Sequence, residues 1–244
     1  NGGTRGRTGD GARVGVDVGS TFTDIVPVRD GRLAGDKTPS TPTAPEEGVL
    51  DGLRAAADRN QLDPDAVSYL AHGTTVATNA VLEGEWAETA LVTTEGFRDV
   101  LEIGRQARPD IYDFQAEKPT PVVERDCRYE VPERLDERGD VLRELDEAAV
   151  RDVAADLEAD SVAVCLLYAF ENATHEQRVR ELLREEGVEA SISLSSAVLP
   201  EIREYERTLT TALNAALKPV IDDYVGNLQD GVAQEGIGAE LRLM

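Results

Sequence analysis

The stretch GVDVGSTFTD, residues 15–24, decides the fold because it combines a strand, a tight glycine turn and the start of a second strand. Valines at positions 14, 16 and 18 alternate with small or polar residues, which is typical of a β-strand. Gly19-Ser20 suits a hairpin turn, and residues 22–28 supply the returning strand. The sequence therefore predicts a β-hairpin near the start of the chain.

The residue types in this turn predict a phosphate-binding loop. Asp17 ends the first strand, and Gly19 lets the backbone approach a ligand closely. The hydroxyls of Ser20, Thr21 and Thr23 can donate hydrogen bonds to phosphate oxygens. An ordinary hairpin is the alternative, because these are also the usual turn residues. The chain contains no Walker loop and no G-x-G-x-x-G segment.

Further stretches give the turn a family context. They are HGTTVATNA at 72–80, TTEGFRDVLEIGRQ at 93–106, RPD at 108–110 and SSAVLPEIREYERT at 195–208. Together with the turn they resemble the ATP-binding, A-type subunits of the hydantoinase/oxoprolinase family. This family is a branch of the superfamily of acetate and sugar kinases, actin and chaperone ATPases, and the resemblance covers roughly residues 13–244.

The resemblance implies an α/β fold, the ribonuclease-H-like half of an actin-like ATPase, with a mixed sheet. The order of elements agrees, because hairpin strands are followed by alternating helices and strands. We predict a flexible leader at 1–12, the family's N-terminal domain at 13–205 and the start of the following domain at 206–244. Residues 104–140 are rich in proline and charge, which predicts an irregular insertion. Family members are longer, so this chain alone is expected to be inactive.

The resemblance also implies roles for the residues of the turn. Asp17 would hold Mg²⁺, through water, beside the reacting phosphate. Gly19, Ser20, Thr21 and Thr23 would contact the β- and γ-phosphates of ATP.

The HGTT segment ends a predicted strand and opens a predicted helix, whose N-terminus attracts anions. Gly73, Thr74 and Thr75 could therefore line the phosphate or substrate cleft, with Asn79 one helical turn later. Capping of the helix by a threonine explains the same residues equally well. His72 could serve as an acid or base near neutral pH, or it could be a packed, hydrogen-bonded histidine.

Charged residues farther along the chain allow two interpretations. Arg105, Arg108 and Asp110 could reach the substrate, because guanidinium groups recognise carboxylates and phosphates. Pairing with the many surface acids is the alternative. A second set, near the start of a long helix, is interpreted as a charged helix face or a subunit contact: Glu201, Arg203, Glu204, Glu206 and Arg207.

The net charge of −23 is spread along the chain, which predicts a solvated surface adapted to high salt, as in halophiles. The absence of a basic patch argues against nucleic acid as a partner. The longest apolar run, near residues 162–170, is too short to span a bilayer. Residues 1–12 lack the apolar core of a signal peptide. These features predict a cytoplasmic protein without membrane contact.

The family uses ATP to activate cyclic amides or ketones, by phosphorylation of an amide or enol oxygen. The resemblance therefore implies the N-terminal part of a hydantoinase or 5-oxoprolinase-type hydrolase subunit, related to N-methylhydantoinase. Its expected cofactors are ATP and Mg²⁺, its substrate a small cyclic amide and its partner a B-type subunit, and homo-oligomerisation is left open. Two alternatives remain: the ATP-binding subunit of an acetone or acetophenone carboxylase, and a non-catalytic partner-binding module.

Overall fold

The structure is a computed structural model, in which the chain divides into two compact units. Unit 1 runs up to Gly84 and resumes at Ile221–Met244, whereas unit 2 is Glu85–Val220. The described residues are 11–19, 21–29, 31–41, 44–60, 63–107, 112–113, 115 and 119–244.

The first part of the chain forms the predicted hairpin, then a helix, another strand and a short helix. These elements are β1 (Ala12–Val18), β2 (Phe22–Arg29), β3 (Arg32–Leu33), β4 (Asp36–Pro39), α1 (Pro45–Asn60), β5 (Val67–Thr74) and α2 (Val76–Glu83).

The rest of the chain alternates between strands and helices. These elements are β6 (Thr89–Thr94), α3 (Val100–Ile103), β7 (Arg128–Val131), β8 (Arg134–Leu135), β9 (Val141–Arg143), α4 (Glu147–Asp156), β10 (Ser161–Cys165), α5 (Thr174–Glu185), β11 (Ser191–Leu194), α6 (Ser195–Val198), α7 (Glu204–Gln234) and β12 (Glu240–Leu243).

The sheet of unit 1 is mixed, as predicted, with the strand order β12-β5-β1-β2-β3 and with β4 also paired to β2. β1 is antiparallel to β2 and parallel to β5. The valines of β1 pack on one face of this sheet against α1 and the C-terminal part of α7, through residues such as Val49 and Leu228. Because side chains alternate along a strand, Gly15 and Asp17 lie on the opposite face.

The sheet of unit 2 has the order β11-β10-β6-β7, and each pair of neighbours is parallel. One face packs against α4 and α5, around Val162 and Leu182. The other face packs against α3 and α7, around Ala163 and Ala212. Coverage on both faces explains why β10 is a continuous apolar strand.

Two elements differ from the sequence prediction. The segment predicted to be irregular, at about 104–140, contains β7, a strand of the unit 2 sheet, because Arg128–Val131 is too short and polar to show a clear period. The sequence predicts a long helix from about residue 203 or 208 to about 225, whereas α7 continues to Gln234, and Leu228 and Val232 on that extension are buried in the core of unit 1. None of the helices in the described part of the chain has the length and hydrophobicity to cross a lipid bilayer.

Candidate functional site

Asp17 lies at the carboxyl end of β1, with an exposed side chain on the face of the unit 1 sheet opposite its core. Its partner in the parallel pair of β1 and β5 is Gly73. A Cβ at Gly73 would lie 3.0 Å from Asp17 Oδ1, which is tighter than ordinary van der Waals contact. The two predicted motifs therefore meet here, and the glycine leaves the space that the carboxylate occupies.

The turn after β1 is fixed by backbone hydrogen bonds. The Gly19 N–H donates to the carbonyl of Phe22 at 3.0 Å, and the Ser40 N–H donates to the carbonyl of Thr21 at 3.0 Å. The Ser40 hydroxyl donates to the carbonyl of Gly19 at 2.7 Å. Ser40 was not singled out from the sequence, and its position directly after β4, which pairs with β2, is what brings it to the turn.

Thr23 does not share the exposed face with Asp17. It pairs with Val18 in the hairpin and is fully buried on the covered side. Its Oγ1 lies 3.0 Å from Ser40 Oγ. Thr23 therefore supports the turn from the buried face of the sheet, whereas Thr21 is exposed at the turn itself.

The HGTT segment joins the same end of the sheet. Thr75 is the N-cap residue of α2, and its exposed hydroxyl donates to the carbonyl of Val18 at 3.3 Å. The Thr74 hydroxyl accepts the N–H of Val76 at 3.2 Å. Asn79 Nδ2 lies 3.5 Å from Thr75 Oγ1, one turn along the helix. The Thr75 hydroxyl makes no capping hydrogen bond to the helix and remains exposed.

His72 belongs to the core of unit 1. It is fully buried, and its Nε2 lies 2.5 Å from the hydroxyl of Tyr224. Burial lowers the pKa of His72, although the nearby carbonyl of Val16 and the charge of Asp17 act in the opposite direction. Burial likewise raises the pKa of Tyr224 to about 12. The structure therefore favours the packed, neutral histidine over an acid or base at the open face.

Of the remaining predicted substrate residues, the structure describes Arg105 alone. Arg105 lies in unit 2, where its Nε is 2.8 Å from Glu206 Oε1, which is the surface pairing considered as the alternative. Ser20, Arg108 and Asp110 lie outside the described residues.

Asp17, at the carboxyl edge of β1 and β5, could hold a metal ion. The described residues contain no group of three or more His, Cys, Asp or Glu side chains that could hold a metal ion. The exposed carboxylate of Asp17 lies beside exposed hydroxyls, and Asp24, its cross-strand partner, makes an ion pair with Lys37. Mg²⁺ is commonly held in this way, by one or two carboxylates, phosphate oxygens and several waters.

Comparison with known proteins identifies relatives of several activities. The chain is 36% identical to the acetophenone carboxylase gamma subunit of Aromatoleum aromaticum, over 91% of this chain and 33% of that protein. It is 31% identical to 5-oxoprolinase 1 of Arabidopsis thaliana, over 86% of this chain and 19% of that protein. The chain therefore spans about a third or less of the length of these curated relatives.

The fold matches a solved structure and a family model. The crystal structure of ATP-dependent caprolactamase from Pseudomonas jessenii superposes with a TM-score of 0.84 at 32% identity, over 95% of this chain and 35% of that chain. This match confirms the predicted α/β fold with a mixed sheet. The family model for the hydantoinase/oxoprolinase N-terminal region matches residues 13–187. The chain thus belongs to the hydantoinase/oxoprolinase family, as its N-terminal region.

Proposed function

We propose that this chain is the part of an ATP-dependent cyclic-amide hydrolase that holds the phosphates of ATP. The observation that carries the proposal is the pairing of Asp17 with Gly73 at the carboxyl edge of β1 and β5. The family relatives named 5-oxoprolinase and ATP-dependent caprolactamase support the reaction class.

Each group at the edge has a role in this proposal. The exposed hydroxyl of Thr21 offers a donor to the β- and γ-phosphates, Gly19 lets the backbone approach them closely, and Ser20 is proposed to donate as well. Thr74, Thr75 and the N-terminus of α2 add a hydroxyl, free N–H groups and the positive end of a helix dipole. Thr23 keeps the turn in shape from the covered side.

The acidic side chain provides the site for the cation. Asp17 would hold Mg²⁺ through water, and the bound ion would neutralise charge on the transferring phosphoryl group. Because Gly73 has no side chain, the carboxylate keeps its exposed position. The protein's contribution is therefore positioning and charge complementarity.

The test uses the full-length protein together with a B-type subunit, the partner that we propose for the complete reaction. Phosphate release is measured with 5-oxoproline, hydantoin and caprolactam. Asp17→Asn should lower turnover at least about 100-fold without changing Tm, because positioned electrostatic groups contribute factors of this size. Asp24→Asn is the matched control: Asp24 pairs with Asp17 across the hairpin and makes an ion pair with Lys37 at 3.2 Å. It should keep near-normal turnover, and near-normal turnover in Asp17→Asn would refute the proposal.

A second candidate function is the ATP-binding subunit of a ketone carboxylase. The 36% identity to the acetophenone carboxylase gamma subunit favours it. Supplying acetone or acetophenone with and without bicarbonate separates the two, because only a carboxylase would need bicarbonate for ketone-dependent ATP turnover. Absence of ATP turnover with every substrate would leave the non-catalytic partner-binding module.

The charge of the chain supports a proposal about its surroundings. We propose a cytoplasmic enzyme adapted to concentrated salt. The acidic side chains that give the net charge of −23 repel one another least when salt screening is strong. Its Tm should rise as KCl increases from dilute buffer to molar concentration. Equal Tm values at both ends of that range would contradict the adaptation.

A further inference from the structure

The sheet of unit 2 has a topological switch point. β6 and β10 are neighbours in the middle of this sheet. The chain leaves β6 through α3, which packs on one face of the sheet, and reaches β7 at one edge. It leaves β10 through α5, which packs on the opposite face, and reaches β11 at the other edge. In open α/β sheets, ligands bind outside the carboxyl ends of the two strands at such a point. Here those ends are Thr94 and Cys165.

A buried cation lies at this position. Arg207, on the first turn of α7, is 1% exposed, and its Nη2 donates to the carbonyl of Leu166 at 2.9 Å. Its Nε and Nη1 are buried and have no hydrogen-bond partner among the described residues. None of the ion pairs among the described residues involves Arg207, so no described carboxylate lies within 4.0 Å of its guanidinium nitrogens. Burial of an unpaired charge is costly, and an anion bound beside this guanidinium would offset that cost.

The nearby buried carboxylates are already occupied. Glu176 accepts hydrogen bonds from the Leu166 N–H at 3.0 Å, the Ser195 hydroxyl at 2.6 Å and the Ser196 N–H at 2.9 Å. Glu133 lies 2.8 Å from the Nδ1 of His175. Neither group neutralises Arg207 directly, which leaves the free donors of the guanidinium for a ligand.

Two aromatic residues lie in the loop that follows β10, close to Arg207. The Arg207 guanidinium carbon lies 5.0 Å from the centre of the Phe170 ring, and Phe170 packs at 5.9 Å against Tyr168. Both aromatic residues are partly exposed. A small ligand would reach the guanidinium by displacement of the Phe170 ring.

We propose that the switch point of unit 2 binds a planar oxyanion through Arg207, either an organic carboxylate or bicarbonate. The fork of guanidinium N–H donors matches the flat three-atom edge of both anions. This inference goes beyond the proposed phosphate site, because it uses no residue of the hairpin or of the HGTT segment.

The test is a titration of the wild-type chain, followed through the arginine Nε–H resonances by NMR at constant pH and ionic strength. Sodium acetate and sodium bicarbonate are the probes, and sodium chloride is the reference salt. The Arg207 Nε–H signal should shift and saturate with at least one of the two probes. A response to acetate alone indicates a carboxylate of the substrate, and a response to bicarbonate alone indicates a carboxylation reactant.

Variants supply the assignment and the control. Arg207→Lys removes the Nε–H signal and keeps the positive charge. The rise in Tm that the anion produces should then need about tenfold more anion, because an ammonium group lacks the paired N–H donors of a guanidinium. Phe170→Leu shifts the same signal and serves as the assignment if Arg207→Lys does not fold. Arg180→Met, an exposed position on α5, should leave the titration unchanged. No shift with either anion, or an equal shift with chloride, would overturn the proposal.

Discussion

At the carboxyl end of β1 in unit 1 the acidic side chain, Asp17, is exposed, whereas near the carboxyl end of β10 in unit 2 the acidic side chain, Glu176, is fully buried. Glu176 accepts hydrogen bonds from two backbone N–H groups and one hydroxyl. Asp17 instead faces open space that Gly73 preserves. The difference teaches that one carboxylate is committed to the architecture of its loop, and that the other is available to a ligand.

The sharpest way to test the structural half of this comparison is Glu176→Gln. The amide retains one oxygen, and its NH₂ group would face a donor. We expect a loss of about 3 kcal/mol in the free energy of unfolding, because buried donors lose a charged acceptor. Urea unfolding of the chain measures this. Glu181→Gln, an exposed position on the same helix, should change stability by less than about 0.5 kcal/mol. Equal effects of the two substitutions would contradict the assignment.

The functional half is tested by Gly73→Ala in the full-length protein. The new Cβ would displace the Asp17 carboxylate, so turnover should fall about tenfold or more while Tm changes little. Gly15→Ala is the matched control on the same face, because its Cβ would come no closer than 3.9 Å, to the carbonyl of Val26. The comparison fails if both variants keep full phosphate release.

The buried histidine of unit 1 predicts a pH dependence. Since burial lowers the pKa of His72 below that of the unfolded chain, the unfolded state binds the proton more readily. The contribution of neutral His72 to the free energy of unfolding should therefore be complete above about pH 6.5 and should fall as the pH drops below that value. Between pH 6.5 and 5.5 the wild type should lose up to about 1 kcal/mol more than His72→Gln, by the linkage slope. Parallel pH profiles for the two proteins would contradict the neutral, packed histidine.

The smallest effect is expected at a partly exposed arginine. Arg178 lies 2.7 Å from Glu147 and about equally close to Glu181 and Glu185, at 3.1 and 3.0 Å. Because these groups are solvated, Arg178→Ala should cost less than about 1 kcal/mol. Glu176→Gln should cost more, since it leaves buried donors without a charged acceptor. Thermal unfolding in the same buffer ranks the two, and a larger loss at Arg178 would reverse the comparison.

Much of the unit 1 site could be predicted from the sequence, because it depends on local patterns. Alternating valines fix the face of β1, so the position of Asp17 follows directly. The face on which Thr23 lies does not follow from a local pattern. It depends on the register of the hairpin, which pairs Thr23 with Val18. The alternation of β5 contains a clue to His72, which shares the covered face with Leu70.

The sequence does not indicate that Arg207 is buried, because it follows a run of charged residues. The signal that could have found it is helical: Arg207, Thr211 and Ala215 recur every four residues, and all three are buried. Tertiary partners such as Ser40 at the turn left no local pattern, because strand pairing alone brings them together. The predicted domain boundary at residue 205 remains a prediction.

The central claim is that the turn at residues 19–21 holds the phosphates of a nucleotide beside Asp17. The most direct measurement is a crystal structure of the full-length protein with a non-hydrolysable ATP analogue and Mn²⁺, whose anomalous scattering locates the cation. The account predicts an anomalous peak within water-bridging distance of Asp17 and phosphate oxygens at the Gly19 turn. A nucleotide bound elsewhere, with this turn vacant and the carboxylate facing away from the cation, would contradict it.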